Sequence, residues 1–250
     1  MADSFKRVIT LTKRNVKEIV RDPLSLVFTI VTPLFLEVLF YFLFHGQTDQ
    51  FDMKYLAPGI VAFSHSFITL FAGLLLALDR STSFLTRLYV SKARPHEFIF
   101  SYVLAVLPIS LIQASLFFLV GGIIDNSIFS VRIIYAILIS LISAFFFTSV
   151  GILLGSICNE KAIGGVASIF IAGQSVLSGM WFPINGLDPV MVKIMEALPF
   201  RNATLLIQNT VKGINDIFTD FFKPMLIVLA YTAAFTVLAI LAFRHKMKSN

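Results

Sequence analysis

The sequence predicts an all-α integral membrane protein: six transmembrane helices, an N-terminal amphipathic helix lying in the interface, and a short re-entrant helical segment between spans five and six. Three observations lead there. Charged residues make up 14% of the 250, against about 25% in soluble domains, and mean hydropathy is +0.87. Six runs are apolar over the ~20 residues a helix needs to cross the hydrocarbon. Lys and Arg are distributed unevenly between the connections, the mark of a fixed orientation in a bilayer.

The elements follow in order. From Ser4 to Arg21 the chain is too charged to span, but Phe5, Val8, Ile9, Thr12, Val16, Ile19 and Val20 recur on one helical face. Lys6, Lys13, Arg14, Lys17 and Arg21 fall opposite. This predicts a connector helix over 1–23, apolar side on the membrane and basic side toward anionic headgroups or a cytoplasmic partner. Asp22-Pro23 ends it and starts the next helix, since Pro is tolerated in a first turn and breaks an interior one. The expected spans are Leu24–Phe44, Tyr55–Leu78, Phe98–Ile124, Arg132–Ile157, Ala162–Phe182 and Lys223–Phe243. Six spans put both termini on one side. Fourteen Lys and Arg fall on that side and six on the other, so the termini are expected in the cytoplasm.

The same bias accounts for the net charge of +6 without a nucleic-acid partner. The charged N-terminus lacks the apolar core of a cleavable signal peptide. A single cysteine, Cys158, excludes an intramolecular disulfide and reads as a small packing residue.

The connection 79–97 is long for a link with nothing to do. Within it Phe84, Leu85, Leu88 and Tyr89 recur at helical spacing, surrounded by Arg80, Arg87, Lys92 and Arg94. An apolar ridge in a basic surround is the pattern of a docking element. Pro95 restarts the chain, and Glu97 falls in the first turn of span three, where the helix dipole favours an anion.

Here a resemblance enters. "RLYVSKARPHEFIFSYVLA" resembles the cytoplasmic loop of ABC type-2 permeases. That family runs Glu-Arg, then Leu-Leu-x-x-Pro, then Glu at the start of span three. Asp79-Arg80 stand at the acidic–basic pair, and Arg87-Leu88 and Pro95-His96-Glu97-Phe98 match. Lys92 stands where the family usually has Pro, and Ser101-Tyr102 where it often has Gly-Lys. A second stretch, "SVGILLGSICNEKAIGGVASIFIAGQSVLSGMWFPINGLDPVMVKIMEALPF", is similar to the family from span four onward. Its marks are Gly151 and Gly155, Ser178 to Pro183, Leu187-Asp188-Pro189 and Leu198-Pro199. The resemblance implies a six-span transmembrane domain over 24–250. It also implies a coupling loop at 79–97 that packs on a separate ATP-binding subunit.

Between spans five and six, 183–222 is expected to be an extracytoplasmic helical segment. Val190–Leu198, bounded by Pro189 and Pro199, reads as a helix dipping back into the outer leaflet, and Leu205, Leu206 and Val211 as an interfacial continuation. Trp181 falls where Trp anchors at an interface. Asn202-Ala203-Thr204 matches a glycosylation sequon by chance.

Inside the spans, Glu37 is the outstanding polar residue, because a charged carboxylate facing lipid is costly. Glu37, Ser64, Ser66, Thr69, Gln174, Ser178, Trp181 and Phe182 are the candidates for a pathway or a dimer seam; Gln113 and His65 also belong to an inward face. His65 has no second ligand at metal spacing. Gly151-x-x-x-Gly155 and Gly164-Gly165 are expected to allow close helix packing. No hydrolytic motif and no Walker A is present, so no catalytic residue, metal or cofactor is assigned to this chain.

The resemblance implies a permease subunit, not itself an enzyme, that forms a path as a dimer with an identical or paralogous chain. It would be driven by two copies of an ATP-binding subunit carrying ATP and Mg. The expected cargo is an amphipathic drug, antibiotic or lipid-like molecule leaving a prokaryotic plasma membrane. A polysaccharide or lipid-linked glycan exporter, an ion-coupled carrier using Glu37, and a non-transporting scaffold are the alternatives.

Overall fold

The computed structural model describes residues 2–81, 95–184 and 186–249. The described residues form nine α-helices, three short 3-10 or π-helical turns and no strand. They are α1 (Ala2–Val20), α2 (Pro23–Phe44), α3 (Met53–Ser81), α4 (Pro95–Ile124), α5 (Arg132–Ile157), α6 (Glu160–Leu177), α7 (Pro189–Ala197), α8 (Pro199–Lys212) and α9 (Lys223–Ser249). Five are long and apolar enough to cross a membrane: α2, α3, α4, α5 and α9. Their bounds match five of the expected spans to within a few residues.

The expected fifth span, Ala162–Phe182, differs. It is α6, an 18-residue helix that stops at Leu177, about 27 Å long at 1.5 Å per residue. Its end is set by Gly179, whose φ of +70° no L side chain adopts readily. Its start is set by Asn159, whose side chain accepts a hydrogen bond from Ala162 N–H at 2.9 Å. With Glu160, Lys161 and Gln174 in its 18 residues, it is not among the helices long and apolar enough to cross a membrane.

α3 is the central helix, touching α2, α4, α5, α6 and α8. Its closest neighbour is α5, and glycine is the reason. A Cβ on Gly151 would lie 2.6 Å from the Thr69 carbonyl oxygen, and one on Gly155 2.6 Å from that of Gly73. The two backbones touch, as the Gly-x-x-x-Gly spacing predicts. Gly164 and Gly165 behave otherwise: among the described residues nothing lies within 4 Å of either added Cβ.

Helices surrounded by lipid gain little from burying apolar area against one another, and are held by close packing and interhelical hydrogen bonds. Thr69 donates to Phe147 O at 3.1 Å, Gln113 to Thr29 O at 3.0 Å and Gln208 to Tyr55 O at 2.9 Å. Each crosses from one helix to another.

Both chain ends lie at one end of the bundle. The Phe98 and Phe243 rings, from the start of α4 and the end of α9, are 6.2 Å apart. At the same end Arg80 donates to the Gly155 and Cys158 carbonyls at 2.5 and 3.2 Å, closing the end of α5. At the opposite end the segment expected to hold one short helix holds two. α7 leaves Val190, Met191 and Ile194 exposed and buries Met195. α8 packs on α3, α5, α6 and α9 and buries Ala203, Leu206, Ile207 and Val211. Asn202 joins the two, donating to Glu196 O and Leu198 O at 2.7 Å. Its amide is therefore used inside the fold, and the sequon is closed.

Candidate functional site

The site lies where the connection 79–97 leaves α3 and enters α4. The docking candidates Phe84, Leu85, Arg87, Leu88, Tyr89, Lys92 and Arg94 lie outside the described residues. The two roots are described, and α1 holds both.

At the first root Asp79, in the last turn of α3, is 3% exposed. Arg14 grips its carboxylate with both terminal nitrogens, Nη2 to Oδ1 at 2.5 Å and Nη1 to Oδ2. Tyr102 of α4 donates its hydroxyl to the same carboxylate. At the second root Glu97, in the first turn of α4, is 1% exposed. Arg7 donates to it twice, Nε to Oε2 at 3.0 Å and Nη2 to Oε1 at 2.8 Å, and Ser4 donates its hydroxyl. Between the pairs Asn15 donates to Ser101 Oγ at 3.1 Å, and Ser101 to Phe98 O at 2.6 Å.

Two-pronged guanidinium–carboxylate contacts fix orientation as well as distance. Burial works against the Arg14 charge, but the hydrogen bond and the charge of Asp79 outweigh it and raise its pKa above the ordinary value.

α1 consequently has three faces. Arg7, Leu11, Arg14 and Asn15 face the bundle. Phe5, Ile9 and Val20 are exposed apolar residues. Lys6, Lys13, Lys17 and Arg21 are exposed and basic. This corrects one expectation: Arg14 does not belong with the outward lysines, because a buried carboxylate draws it inward. Arg7, Asn15, Ser101 and Tyr102 are contacts the sequence reading missed. The available signal was Arg7, Leu11, Arg14 and Asn15 at i, i+4, i+7 and i+8, one stripe between the apolar and basic faces.

Most of the polar pathway and seam candidates have a partner within the chain; Glu37 does not, among the described residues. Ser64 and Ser66 donate to carbonyls of their own helix at 2.8 and 2.6 Å. Gln174 donates to Thr204 Oγ1 at 2.8 Å. Ser178 accepts from Met180 N–H at 3.2 Å. Trp181 donates its indole N–H to Ser175 at 3.0 Å and sets its ring edge-on to Phe40, with centroids 4.6 Å apart. Phe182 beside it is partly buried. Glu37 is fully buried, and neither oxygen has a hydrogen-bond partner among the described residues. It lies against Gly121, where an added Cβ would come 3.0 Å from Oε1. The site chemistry is mechanical: the structure fixes the ends of a segment and links them to a helix outside the bundle.

The sequence matches the family model of the ABC-2 type transporter over residues 6–210. The matched region runs from α1 through α8. No curated protein matches the chain.

Proposed function

This chain belongs to the ABC-2 type transporter family, and from that membership we propose that it is the permease half of an ATP-driven exporter. The coarser statement is secure: it is a multi-pass membrane protein and the transmembrane component of an ABC transporter. The rest is our reading. A single observation carries it: both roots of the 82–94 segment are tied to one outlying helix by ion pairs from half-buried arginines to buried carboxylates.

In this reading the termini and the 79–97 loop face the cytoplasm, and α6 is the sixth span, with α7 dipping into the outer leaflet. Two such chains pair, each with one ATP-binding subunit. The subunit docks on Phe84 to Arg94 and touches the basic face of α1. When ATP closes the two subunits, the loop moves. Asp79 and Glu97 carry the motion into α3 and α4, and α1 keeps the roots moving together. α3 passes the displacement to α5 through the Gly73–Gly151–Gly155 contact, where touching backbones leave no slack. The second copy covers α2 and α6. α2 exposes Val27, Phe28, Val31 and Phe35, and α6 exposes Ile169 and Val176 beside the open Gly164 and Gly165. The path opens along that seam for an amphipathic cargo.

The test is to tag the chain, extract it gently and identify what copurifies. A stoichiometric ATP-binding subunit is expected. The double variant R87E/R94E should keep the membrane-inserted dimer and lose ATPase coupling. Full transport by that variant would sink the docking assignment.

A further inference from the structure

Arg80 lies in the last turn of α3, next to the anchored Asp79. The sequence places it among the docking cations. The structure commits its Nη1 to α5: it donates to Gly155 O in the last turn at 2.5 Å, and to Cys158 O just beyond at 3.2 Å. The last carbonyls of a helix have no partner within it, and a cation suits that end of the dipole. Leu154 O is taken by Cys158 N–H at 2.8 Å. Arg80 takes the carbonyl that follows it and the first one outside the helix.

What lies beyond Cys158 gives this contact a direction. Only Cys158 and Asn159 separate α5 from α6, and both are extended, with ψ of 158° and 164°. Asn159 is also the N-cap of α6, its side chain accepting from Ala162 N–H at 2.9 Å. An extended residue already spans nearly its full reach of about 3.3–3.6 Å, so this link has no slack. A hold on the Cys158 carbonyl is a hold on the start of α6.

That start has little else to fix it. Glu160, Lys161 and Ala162 are exposed, and the positions of Gly164 and Gly165 are open among the described residues. Ile163 is the buried residue of the stretch, its Cγ2 3.3 Å from where a Cβ on Gly73 would stand. Gly73 lies two turns before Arg80 on the same helix. α3 therefore grips the start of α6 twice, by an apolar contact at Gly73 and by hydrogen bonds at Arg80, and the second grip begins beside the loop.

The geometry points to Arg80 as a positioning residue of the drive: it makes the α5–α6 link follow the first root of the loop, so that a push on the 79–97 connection reaches α6. This route runs beside the glycine contact between α3 and α5 and ends on a helix assigned to the seam. It rests on the loop-driven reading proposed above.

The test uses the complex of the full chain with its ATP-binding subunit, in a C158S background that keeps the backbone carbonyl. A nitroxide on S81C reports from the root of the loop, and one on I169C, at a residue 67% exposed, reports from α6. Trapping with ATP and vanadate should change the spectra of both. R80Q should cut the I169C response at least fivefold relative to that of S81C. Two glycines inserted between residues 158 and 159 should do the same with Arg80 in place, because they add slack to the link, and this variant alone decides should R80Q fail to assemble. A purely structural role would lower thermal stability and leave the ratio of the two responses unchanged. An unchanged ratio in the assembled variants overturns the relay and leaves the loop-driven reading standing, as does an unaltered chain in which S81C responds and I169C does not. No response at S81C in the unaltered chain overturns the loop-driven reading, and the relay with it.

Discussion

The two ends of the bundle are held by different chemistry. At the end carrying the termini, Asp79 and Glu97 are buried among arginines, a tyrosine and serines, and each contact has one permitted geometry. At the opposite end Phe40, Phe44, Phe51, Phe63 and Trp181 form a cluster with centroids 4.6 to 6.0 Å apart at angles from 35° to 72°. Aromatic contacts tolerate a range of offsets at little cost, whereas a buried ion pair that loses one partner leaves an uncompensated charge. One end is thus held in fixed geometry and the other with latitude, a division that suits the one-sided drive proposed above.

The largest expected effect breaks the rigid end. R14E sets a second carboxylate against the buried Asp79, which Tyr102 already contacts, and removes its cation. We predict a loss of about 3–5 kcal/mol, read as a collapse of the monodisperse peak on heated size-exclusion chromatography. The swap R14D/D79R should recover part of the loss. No loss in R14E would show that α1 is a passive anchor.

The next effect lies between the ends. G155V drives a side chain into the Gly73 backbone 2.6 Å away, and overpacking of this kind costs about 1–3 kcal/mol. The first added carbon of G165V meets nothing among the described residues. It should leave thermal stability unchanged and, if α6 lines the seam, weaken the dimer. Equal destabilisation by both variants would remove the distinction between inner and outer glycines.

The smallest effect tests the soft end. W181F keeps one aromatic ring against Phe40 and Phe63 but loses the second ring of the indole and the hydrogen bond to Ser175, the bond alone being worth about 1 kcal/mol. The expected result is a slight fall in thermal stability with assembly unchanged. A loss as large as that of R14E would mean that the aromatic end is as rigid as the charged one.

Much of this was readable before any coordinates. The bounds of α2 to α5 and α9 follow from long apolar runs broken at Pro23 and Pro95 and between Asp125 and Val131. Local signals are cheap to read because both partners lie within a few residues: Asp188 caps α7 at Val190 N–H at 2.8 Å, and Pro199 starts α8. The Gly151–Gly155 spacing announced a close contact. What escaped was the choice of partner. Glu97 was legible as a dipole residue and became an anchor for Arg7, 90 positions away.

Composition and periodicity suffice for a helical membrane protein with an outlying basic helix, because hydrocarbon demands apolar runs and leaves the backbone only helices to form. They could not say which of two adjacent basic stripes on α1 turns inward, or that α8 lies inside the bundle while Gly164 and Gly165 lie outside. Those outcomes depend on which carboxylate and which backbone arrive opposite when distant segments meet. An arginine carries no mark of its partner until a buried Asp79 stands within reach.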